Sequence, residues 1–77
     1  MYSASKPTRL MRVAAKYLNR PYIPSDMILE GVVRRIKTLH EQDCLDERAI
    51  ARRLGDTFGD GSPYREHRFI RHIIRQL

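Results

Sequence analysis

Very little in the chain could build an enzymatic or metal site. A single cysteine, Cys44, among 77 residues excludes an internal disulfide and a cysteine-based zinc site, and fits a reducing compartment. The three histidines do not make up for this. His67 and His72 are five apart and therefore off-face for chelation, and His40 lies four residues before Cys44 across an expected helix end. No nucleophile has a paired base, no Gly-rich loop offers amides to a phosphate, and no carboxylate pair has the spacing for acid–base work. Neither an enzyme nor a cofactor is expected. Asp56 to Gly61 opens like a calcium loop, but Phe58 and His67 stand where oxygen ligands are needed, so a capped turn accounts for it. Also missing is any apolar run near the roughly 20 residues of a membrane span. The first 22 residues alternate charged with apolar groups where a signal peptide would carry an apolar block. A cytoplasmic protein without a membrane partner is the expectation.

What the chain has instead is arginine. Twelve of the fifteen basic residues are Arg, whose planar fork matches phosphate or carboxylate bidentately. The net charge of +6 is unevenly placed. Residues 1–22 hold five basic groups and no acid, residues 23–60 hold eight acids against six bases, and residues 61–77 hold four arginines against Glu66. A sequence pI near 10.1 with clustered Arg is the electrostatic footprint of a nucleic-acid binder, and equally of a small protein that docks on an acidic surface. At this length residues 1–77 make one domain with a basic N-terminal segment, 1–22.

The apolar spacing is helical throughout, and no strand alternation competes with it. Leu10, Ala14, Tyr17 and Leu18 predict a first helix over Ser5 to Leu18. A stiff connector from Asn19 to Pro24 follows, in which Tyr22 and Ile23 are expected to pack. Ser25 is the expected cap of a second helix with the stripe Ile28, Val32, Ile36 and Leu39. Gly31 within it would suit the close approach of a neighbour. Asp46 caps a third helix, Leu45 and Ile50 form its staple, and Gly55 is placed to end it. Ser62 and Pro63 then open a fourth helix running to the C-terminus. Its Phe69, Ile70, Ile73, Ile74 and Leu77 share one face, and Arg65, Arg68, Arg71, His72 and Arg75 share the opposite one. The expected fold is all-α, a bundle of three to four helices whose shared core is Ile36, Leu39, Leu54, Phe69, Ile70 and Ile73.

The fourth-helix arginines, without an acid among them, can follow a phosphate backbone or enter a major groove while the isoleucine face anchors the helix. Ile50-Ala51-Arg52-Arg53-Leu54-Gly55 resembles the first helix of a helix-turn-helix, here a variant with an enlarged turn. Leu45-Asp46-Glu47 with Ile50-Ala51, followed by the basic helix ending Arg71 to Leu77, resembles one three-helix repeat of the RecX recombination regulators over the last half of the chain; that resemblance assigns a role to no residue. The candidate nucleic-acid-binding residues are Arg65, Arg68, Arg71, His72 and Arg75, with Arg9, Arg12 and Lys16 as a second contact and Arg52 and Arg53 beside them. The expected function is a DNA-binding regulatory or accessory factor, with duplex DNA as ligand, a homodimer as the assembly, and no metal. The alternative is a protein-interaction module or inhibitor that docks its basic helix on an acidic protein surface.

Overall fold

The structure, a computed structural model, describes residues 7–59 and 61–77. Four helices follow one another: α1 Thr8–Tyr17, α2 Met27–Glu41, α3 Glu47–Phe58 and α4 His67–Ile74, with one 3-10 turn, Pro63–Arg65, before the last. Among the described residues there is no strand, and the fold is a small helical bundle. The expected start of the first helix at Ser5 lies outside the described residues, as does Asp60 of the expected turn.

The ends of the helices follow local chemistry. Asn19 ends α1 in the left-handed conformation, φ 58°. Around it the Arg20 N–H donates to the Ala15 carbonyl and the Asn19 N–H to the Lys16 carbonyl, the paired bonds that close a helix C-terminus. Asp26, not Ser25, caps α2: its carboxylate accepts from the Leu29 N–H at 3.0 Å. The stripe that faces inward is Leu29, Val32, Val33, Ile36 and Leu39. Ile28, expected in that stripe, is 60% exposed, and Ile23 in the connector also stays exposed while Tyr22 is half-buried. Gly31 has nothing within 4 Å of where a Cβ would stand, so no neighbouring helix approaches it.

Asp46 caps α3 as its sequence predicts, accepting from the Ala49 N–H at 2.9 Å. The helix does not stop at Gly55, which is buried within it. It runs on to Phe58, whose ring packs edge-on against Tyr64 at 5.7 Å, and ends at Gly59 with φ 94°. Aromatic packing at the far end thus overrides the weak helix propensity of one glycine. Ser62 and Pro63 do form a capped start, with the Ser62 hydroxyl accepting from the Tyr64 N–H at 3.1 Å, but what they start is a single 3-10 turn. Helix α4 begins afresh after Glu66 and ends at Ile74, so Leu77 lies beyond it and is 41% exposed.

All four helices share one core. Helix α4 packs against each of the other three, and its Phe69, Ile70 and Ile73 are wholly buried together with Ile36, Leu54 and Met11. Leu39 is 2% exposed, so every residue of the expected core is inside. The expected core held no residue of the first helix, and α1 adds to it. Leu10, Met11, Ala14 and Ala15 bury one side of α1 against α2 and α4. No polar or charged residue is buried among those described.

Candidate functional site

Three apolar side chains fix α4 in the core and leave its other face outward, which decides where the arginines go. Arg68, Arg71 and Arg75 are exposed at spacings of three and four, so they rise along one side of the helix. With His72 and with Tyr17 from α1 they line a shallow depression of about 240 Å³ that has no acid in its lining. The Tyr17 ring lies 5.7 Å from Phe69 and 5.2 Å from His72, which joins this depression to the core through a short aromatic contact chain.

Arg71 is held from the side. Its Nε and Nη2 donate to the two Glu47 carboxylate oxygens at 2.9 and 2.8 Å, a bidentate pair between the start of α3 and the middle of α4. These hydrogen bonds hold the Glu47 carboxyl below its ordinary value, helped by the charges of Arg71, His67 and Arg48 and opposed by partial desolvation. The same contact raises Arg71 above the usual guanidinium range. Arg71 is therefore already paired with a carboxylate, while Arg68 and Arg75 stand beside it at the two ends of the row.

Arg65 does not belong to that row. It sits in the 3-10 turn and lines a larger groove of about 670 Å³ along the exposed edge of α3, with Arg48, Arg52, Arg53 and His67 and with Asp46 and Asp56 among them. His67 of the groove and Arg68 of the depression are neighbours in the first turn of α4. The connection between α3 and α4 runs from 59 to 66, displaced from the expected turn at 55–62 and longer than the three or four residues of a standard helix-turn-helix.

The α1 residues are divided. Arg12 lies over the Tyr22 ring at 5.1 Å and shares a third depression with Lys16 and Arg20. Arg20 lies over Tyr64 at 5.5 Å and donates to its hydroxyl at 3.1 Å, which ties the end of α1 to the turn before α4. Arg9 points elsewhere: its Nη2 donates to the Gln76 Oε1 at 3.4 Å, in a depression shared with Lys37 and Glu41. Sequence reasoning missed Tyr17, Arg20, Arg48 and His67. Arg48 could have been found from its i, i+4 spacing to Arg52; Tyr17 could not, because its spacing marks it as core.

Among the described residues no three His, Cys, Asp or Glu side chains are grouped to hold a metal ion, and no helix is long and apolar enough to cross a membrane. Comparison of the chain with protein-family models, with curated proteins and with solved structures gives no match.

Proposed function

We propose that this protein binds nucleic acid through the outward face of α4 and the basic groove beside it, as a small regulatory or accessory factor. The observation that carries this is the row Arg68, Arg71 and Arg75, together in a depression with no acid in its lining, on a helix whose opposite face buries Phe69, Ile70 and Ile73 completely. A rigidly anchored helix presents guanidinium groups at fixed spacing, which suits a regular line of phosphates better than scattered surface charge does. Arg48, Arg52, Arg53 and Arg65 extend the same field around the start of α4. Phosphate contact positions without reading sequence, so random duplex DNA is a suitable ligand. A symmetric pair of such modules would double a contact area that for one domain amounts to about 600–1,000 Å².

The test is a binding titration with random duplex DNA at two salt concentrations. Two to three phosphate contacts, depending on how far Glu47 holds Arg71, give a log affinity that falls by about two to three units per tenfold rise in salt. Absence of binding at low salt, or a slope near zero, overturns the proposal and moves the face to an acidic protein partner.

A further inference from the structure

Tyr17 is the one exposed aromatic residue among those described, at 38%. The other tyrosines with described positions are half-buried, and each lies under a guanidinium, Tyr22 under Arg12 and Tyr64 under Arg20. Tyr17 instead shares its depression with three guanidinium groups while its ring leans on His72, with the two planes tilted by 34°. A phosphate backbone needs no ring. What uses an exposed ring that leans on a half-buried one within a cationic rim is a flat π system carrying negative charge beside it, and a nucleotide in a single strand has that form. In a duplex the bases are stacked and paired inward, so they offer the ring pair no free face to stack on.

We infer that Tyr17 and His72 form a stacking site for one unpaired nucleobase, with Arg68 and Arg75 reaching the phosphates on its two sides. This rests on the nucleic-acid reading of the α4 face and adds a base site to it. Arg68 and Arg75 are separated by about 10 Å of helix axis, so their long side chains bracket the ring pair from above and below. Phe69, wholly buried behind Tyr17 at 5.7 Å, backs the platform with a rigid wall. A stacking site of this kind is tolerant of base identity because every base has a π face.

The experiment compares an oligo-dT strand of about 12 nucleotides, an oligo-U strand of the same length and a random duplex, against the parent and two variants. Tyr17→Leu keeps apolar bulk on Phe69 and removes the ring; it should weaken strand binding about tenfold and duplex binding by a clearly smaller factor. Tyr17→Phe keeps the ring and should keep the strand affinity. The chain has no tryptophan, so its tyrosine emission is directly readable. Stacking on Tyr17 should quench part of that emission in the parent, and the quenched part should be missing in Tyr17→Phe. An oligo-dT and oligo-U response of equal size assigns the site to the base rather than to the sugar. Equal loss of strand and duplex affinity in Tyr17→Leu, or unchanged strand affinity, or full quenching in Tyr17→Phe, overturns the base site and leaves the phosphate-binding face standing. Failure of the parent to bind either the strands or the duplex overturns the nucleic-acid reading itself.

Discussion

At the residue scale the pair Glu47 and Arg71 sets how much charge the α4 face can offer. Arg71 is bound along its Nε–Nη2 edge, so a phosphate meets a guanidinium whose charge is already paired with a carboxylate. Glu47→Gln keeps the side-chain shape and removes the competing charge. The variant should bind duplex DNA more tightly than the parent, with a salt slope steeper by up to about one unit. Its stability should change in the opposite sense and only in one pH range. Because the folded protein holds the Glu47 carboxyl below the ordinary carboxylate value, the pair stabilises the fold above that ordinary value and loses this as the pH falls through the depressed one. Melting temperatures of parent and variant should therefore differ at neutral pH and converge in acid. None of this was legible in the sequence, where the α4 arginines have no acid at helical spacing. Their partner comes from 24 residues away in the chain. The Asp46 cap, by contrast, was legible because cap and amide lie three residues apart and need no tertiary information.

At the scale of elements, two glycines within or beside helices answer the same substitution with opposite signs. Gly59 ends α3 at φ 94° and ψ 153°, a region closed to side chains, and nothing stands within 4 Å of the added methyl, so the cost is purely conformational. Gly59→Ala should destabilise the fold by about 1–3 kcal/mol. Gly31 lies exposed inside α2 with equally open space, and Gly31→Ala should stabilise by about 1 kcal/mol. Thermal unfolding of the two variants checks both. The helices themselves were legible from periodicity, but their ends were displaced wherever packing decided. Phe58 on Tyr64 carried α3 past Gly55, and one 3-10 turn absorbed the start that Ser62 and Pro63 signal. That displacement also explains why Arg65 left the row. The remaining row can be separated from folding: Arg68→Gln with Arg75→Gln should change stability by less than about 0.5 kcal/mol while reducing the salt slope of duplex binding by nearly two units. A variant that melts like the parent and binds like the parent would remove the face from the mechanism.

At the scale of the whole molecule, the four helices form one core, and the surface they build depends on all of them. Each residue of the core expected from the last three helices is buried, since those side chains repeat at helical spacing on strongly two-faced segments. Helix α1 was the harder case: its apolar spacing predicted a helix, but the expected core held none of its residues, while Met11 and Ala15 are buried. Its role is decided by tertiary packing: Met11 is wholly buried, and Tyr17 of the same helix touches Phe69 and His72 of α4. Met11→Ala should therefore cost about 2–5 kcal/mol, the usual range for a large side chain lost from a core. A domain of this length has a total stability on the order of 4–12 kcal/mol, so the variant keeps at most part of it. If α1 were an arm, the loss would leave the other three helices folded, and helical signal would fall in two steps on heating. With one core, circular dichroism should show a single transition at a lower temperature, and nucleic-acid binding should disappear over that same transition, because the depression that holds Arg68, Arg71 and Arg75 is closed on one side by Tyr17.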